Sequence, residues 1–115
     1  MTIRIVNCTP HAIVLRGAED VTIPPSGMVA RVSSTPGMLS SIPGCPVPIA
    51  GPQTFGEVVG LPDRTPDTLL IVSGVVLAAL RGSRPDVVGP GTGPNDGAVR
   101  DDQGRVVAVT RLVRG

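Results

Sequence analysis

Hydrophobic residues along this chain fall into short blocks separated by glycine and proline, and one block is longer than the rest. Leu69, Leu70, Ile71 and Val72 are consecutive, bulky and partly β-branched, which suits a strand buried on both faces rather than an alternating surface strand. Ser73 follows, and its hydroxyl is placed to accept an amide at a helix start. Val75 to Leu80 then supply about two helical turns. Arg81 and Gly82 carry the signals that end a helix, a cation in the last turn and a residue at ease in the left-handed region. The apolar run from Leu69 to Leu80 has 12 residues, whereas a membrane-spanning helix needs about 20. No membrane span is expected.

The other blocks are shorter and β-prone. Thr2 to Asn7 and Ala12 to Arg16 flank the turn NCTPH and are expected to pair as a hairpin. RGAED makes a second turn, Val21 to Ile23 a third strand, and the IPPSG that follows forces a corner. Met28 to Ser33 reads as a further strand. The stretch Met38 to Ile49 contains Pro43, Gly44, Pro46 and Pro48, so it is expected to be an irregular or edge segment that is mobile or covers a ligand. Thr54 to Val59 is β-prone, and Gly60 to Asp67 is loop-like. Near the end, Ala98 to Arg100 and Arg105 to Val113 bracket DDQG, a hairpin turn closed by glycine.

Composition sharpens this picture. A chain of 115 residues with 41% apolar content makes one domain, residues 1–115, able to bury a core without metal or disulfide staples. Phe55 is the only aromatic residue, so the core must be built from Val, Ile, Leu and Ala, and abundant valine favours strands. The expected fold is therefore mainly β, a β-rich α+β chain of small barrel or sandwich type, with one short helix at about 74–80. Unpaired strand edges and little aromatic packing further predict a homo-oligomer, most simply a dimer.

Charge removes some function classes. Ten arginines against nine acids leave a net charge of +1, which provides no basic face for duplex DNA, and one phenylalanine provides no stacking row for single strands. Nucleic acid is not an expected partner. The start MTIRIVNCTP lacks an apolar core of signal-peptide length, which sets the expectation of a cytoplasmic protein in a bacterial host with Cys8 and Cys45 reduced.

Candidate chemistry concentrates in two loops. The run GPGTG, Gly89 to Gly93, presents main-chain amides from residues able to take positive φ, and concave amide nests of that kind bind anions. Arg81, Arg84 and Arg100 lie near it in sequence and offer bidentate contacts to phosphate or carboxylate. The lysine and spacing of a Walker loop are missing. Cys8, His11 and Cys45 lack the fourth ligand of a zinc site, and no metal or cofactor is expected. Glu57 and Asp86 stand beside β-prone runs, but nothing in their spacing pairs them for acid/base work.

Five short motifs in fixed order carry a resemblance: NCTPH at Asn7 to His11, IPPSGMVARV at Ile23 to Val32, FGEVVGLP at Phe55 to Pro62, IVS at Ile71 to Ser73, and DVVGPGTGP at Asp86 to Pro94. Together they resemble a family of small uncharacterised proteins encoded by bacteriophages and prophages. The chain departs from the family pattern where NLTPH is usual, which weakens a catalytic role for Cys8, and where PDTGP is often seen instead of PGTGP. The resemblance implies phage or prophage origin. By analogy of context, it directs attention to proteins that sequester the nucleotide-derived signals of host immunity.

The reading that results is a binder of a small anionic or nucleotide-like ligand. Asn7, Thr9 and His11 in the first turn would meet the Gly91, Thr92 and Gly93 loop, Arg84 or Arg100 would supply charge, and Asp86 would sit beside them. The rival classes are an accessory or structural protein that binds a protein partner, and a small nucleotide hydrolase or lyase that would need His11 or Glu57 beside the glycine loop.

Overall fold

The apolar block at Leu69 becomes an inner strand of the main sheet in the computed structural model, which describes residues 3–115. The strands are β1 (Arg4–Asn7), β2 (Ile13–Arg16), β3 (Asp20–Ile23), β4 (Ser34–Thr35), β5 (Leu39–Ser40), β6 (Ile49–Ala50), β7 (Thr54–Phe55), β8 (Thr68–Ile71), β9 (Val87–Pro90), β10 (Val99–Arg100), β11 (Val106–Ala108) and β12 (Leu112–Val113), with one helix, α1 (Gly74–Leu80), between β8 and β9. Among the described residues the protein is thus mainly β with a single short helix, and its sheets do not close into a barrel. No helix among them is long and apolar enough to cross a membrane.

The main sheet has the order β1-β8-β9-β12. β1, β8 and β9 run parallel, and β12 returns antiparallel to β9. Leu70, Ile71 and Val72 are almost wholly shielded from water, as a strand with neighbours on both edges and packed faces should be. Two parallel neighbours need a crossover, and α1 supplies it between β8 and β9. Ser73 caps the helix through a long contact, its Oγ accepting from the Val76 amide at 3.5 Å. Arg81 ends it in the left-handed region at φ 53°, and Gly82 continues there at φ 73°. Val76 and Leu77 turn inward to join Cys8, Ala30, Leu70, Val72 and Val87 in the core.

Three expectations are corrected. β1 does not form a hairpin with the strand after NCTPH; it pairs in parallel with β8, Arg4 opposite Thr68 through Asn7 opposite Ile71. β2 pairs instead with β3 across the RGAED turn, where Arg16 and Asp20 form an exposed ion pair at 3.0 Å. Met28 to Ser33 is not a regular strand, because Ser26 and Ala30 donate back to the carbonyls of Asn7 and Cys8, and only Arg31 exchanges a pair of bonds with Val59. Gly89 and Pro90, expected to open the GPGTG loop, belong instead to an inner strand, β9. Its local signal is broken by Gly89 and Pro90, yet Val87 and Val88 are buried against β8 and α1.

From Ser34 to Phe55 the chain leaves the body as a narrow ribbon. β4 pairs with β7 near its base and β5 with β6 further out. At the neck between the two pairs, a Cβ at Gly37 would overlap the carbonyl of Gly51, so only glycine lets the backbones pass.

Candidate functional site

The first loop is held by its own polar groups. Asn7 ends β1 with its side chain buried, where Nδ2 donates to the carbonyls of His11 at 2.7 Å and Ile23 at 3.0 Å. Its Oδ1 accepts the Thr9 amide at 3.0 Å, and the Thr9 hydroxyl stands 2.6 Å from that oxygen and 3.0 Å from the His11 carbonyl. Every side-chain donor and acceptor of Asn7 is therefore engaged within the protein, and with Thr9 it shapes the NCTPH turn. His11 is exposed, and its imidazole makes no hydrogen bond or ion pair among the described residues. Cys8 is buried beneath the turn, where burial pushes its thiol up and the Ser26 hydroxyl offsets part of the effect. A thiol so placed is a poor nucleophile.

The glycine loop also differs from an anion nest. Gly91 and Gly93 lie outside the positive-φ region, and the Gly91 amide continues the ladder by donating to the Arg111 carbonyl at 3.0 Å. The Gly93 amide donates to Asp96 Oδ2 at 2.9 Å, so a carboxylate of this chain already occupies the loop. Arg100 is exposed and donates to the carbonyls of Thr92 at 3.0 Å and Gly104 at 2.9 Å. It ties the Thr92 loop to the β10–β11 turn.

Arg84 and Asp86 stand at the other end of β9. They form a bidentate pair, Nε to Oδ1 at 3.0 Å and Nη2 to Oδ2 at 2.9 Å, and Nη2 also donates to the Pro62 carbonyl at 3.0 Å. Asp86 is buried. The Arg84 guanidinium holds its carboxyl below the usual carboxylate range against the opposing effect of burial, and Asp86 raises Arg84 in turn. A four-residue strand, roughly 13 Å long, separates this pair from the Gly91–Gly93 loop. The structure therefore does not bring Arg84 and Asp86 together with Thr92.

Two surface cavities flank the carboxyl ends of the parallel strands. The one beside Thr92, about 130 Å³, is walled by Ala12, Val14, Pro90, Val107 and Val109, so Thr92 shares it with apolar residues after the first turn and not with Asn7, Thr9 or His11. The other, about 280 Å³, lies between the NCTPH turn and the start of α1, and is lined by Thr9, Pro10, Val29, Arg31, Ser73 and Val75 among others. Comparison with protein-family models, with curated proteins and with solved structures finds no match to this chain. The larger cavity is distinguished by its charge. Arg31 is exposed at its edge, and its guanidinium makes no hydrogen bond or ion pair among the described residues. The Ser73 hydroxyl accepts from Val76 and keeps its own proton to donate. Arg31 belongs to the IPPSGMVARV motif, yet its sequence neighbourhood carries no other chemical signal. Only the fold of the Met28–Val32 segment across the end of β1 brings it opposite Ser73. Among the described residues no group of three or more potential metal ligands comes together.

Proposed function

We propose that the protein binds a small anionic, nucleotide-like ligand and holds it without turnover, as a phage-type protein that sequesters a nucleotide-derived signal would. The observation that carries this reading is the uncommitted Arg31 guanidinium beside an apolar-walled cavity whose opposite side offers the Ser73 hydroxyl. An arginine fork matches phosphate or carboxylate in geometry and charge, and Pro10, Val29 and Val75 give a ring or sugar a dry surface. Most binding sites combine apolar walls with a few polar groups in this way. His11 follows Pro10 in the same loop.

Calorimetric titration of cyclic dinucleotides and ADP-ribose into refolded, ligand-free protein tests the proposal. Arg31→Ala should weaken binding roughly ten- to a hundredfold, the loss expected of one charged hydrogen bond. Arg100→Ala, outside the cavity, should leave affinity unchanged, and the nucleotide should be recovered intact. Absence of binding tighter than millimolar to wild type rejects the reading, and the protein-binding alternative then takes its place.

A further inference from the structure

The ribbon from Ser34 to Phe55 is the most unusual surface of the molecule, and it is independent of the ligand cavity. Between Arg31 and Glu57 the chain has no charged residue. Met38, Leu39, Ile42, Val47 and Ile49 all project from the ribbon into water, Met38 at 88% and Leu39 at 67% of full exposure. Soluble proteins blunt exposed strand edges with charge, proline or cover, and here only one edge is treated so. Pro46, Pro48 and Pro52 run along the β6 side, where each removes an amide donor, while the β5 side from Met38 to Ile42 has no proline. The Gly51 amide donates to the Met38 carbonyl at 2.9 Å. With Leu39 opposite Ala50 and Ser40 opposite Ile49, that register turns the Leu39 and Ser41 backbone groups outward.

We propose that this open β5 edge pairs antiparallel with the β5 edge of a second copy of the chain, joining two ribbons into a four-stranded sheet about a twofold axis. Three features select a second copy as the occupant. An edge that pairs with itself about a twofold axis needs no other complement. A ribbon without charge meets its own copy without repulsion, whereas a partner chosen for charge would have nothing to read. A two-stranded ribbon alone in water is marginally stable, and pairing raises it to four strands.

Light scattering coupled to gel filtration, across micromolar concentrations, should give twice the 11.7 kDa chain mass. Leu39→Lys places like charges across the twofold axis, and Leu39→Pro removes an outward amide without touching the β5–β6 bonds; each should shift the protein to the monomer mass with its thermal transition retained. A third variant, with the ribbon beyond β4 and β7 replaced by a tight Asn-Gly turn, should also be monomeric. Cys45 is exposed near the ribbon tip while Cys8 is buried, so a spin label on Cys45 reports the arrangement directly: a discrete label-to-label distance in wild type, lost in Leu39→Lys. A monomeric wild type overturns the proposal, as does a dimer whose mass survives all three variants.

Discussion

Asp86 and Asn7 are the two polar side chains most deeply committed to the fold, and each makes a distinct prediction. Arg84 holds the Asp86 carboxyl below its ordinary value, so the folded state binds that proton less readily than the unfolded chain. The stability from the pair is then complete above the unfolded value, near 4, and is lost as pH falls through the lower folded value. Asp86→Asn should cost roughly 2–3 kcal/mol at neutral pH, the scale of a charged hydrogen-bonded pair that loses one partner. The gap to wild type should close in acid, and urea melts at neutral pH and near pH 3 measure both. Asn7→Asp is nearly isosteric but puts a carboxylate where the Nδ2 donor meets the His11 and Ile23 carbonyls. It should destabilise more than Asn7→Ala in the same melts.

At the scale of elements, the β8–α1–β9 unit depends on a close approach. A Cβ added to Gly89 would stand 3.0 Å from Leu77 Cδ2, and Gly89 itself is buried on β9 beneath the helix. Gly89→Ala should push α1 outward at a cost of about 1–3 kcal/mol, seen as a lower urea midpoint with an unchanged slope. This glycine stands in the loop that composition alone marks as an anion nest. Its tertiary role is to let a helix pack on an inner strand. The limits of α1 were legible from sequence because its capping signals, Ser73 ahead of it and the Arg81–Gly82 pair behind, act within a few residues. The β9 strand was not, because its formation rests on burial against β8 and α1 rather than on its own propensity.

For the molecule as a whole, the radius of gyration is 16.8 Å and the principal extents are 58, 37 and 21 Å, while a compact chain of this length should have a radius of about 13 Å. The projecting ribbon is the prominent exposed extension of that shape. Its protection from hydrogen exchange should therefore rise with protein concentration if ribbons pair. The amides of Leu70 and Val72, which donate to Asp86 and Val88 across the inner strands, should exchange slowest and independently of concentration.

What the sequence determined by itself is whatever short-range signals encode: a mainly β chain, the buried strand at Leu69 to Val72, the helix after Ser73, the hairpin around DDQG and a proline-rich edge segment after Met38. Tertiary structure alone decided which strand lies beside which. Parallel pairing of β1 with β8 joins residues 64 positions apart, and no turn chemistry records such a partnership. The same applies to the site residues. Asn7, Thr9, Arg84 and Asp86 were legible as polar groups in telling places, but whether a polar group faces a ligand or is used up inside the protein depends on the backbone carbonyls and partners folding brings to it. Those partners engaged these four and left Arg31 open.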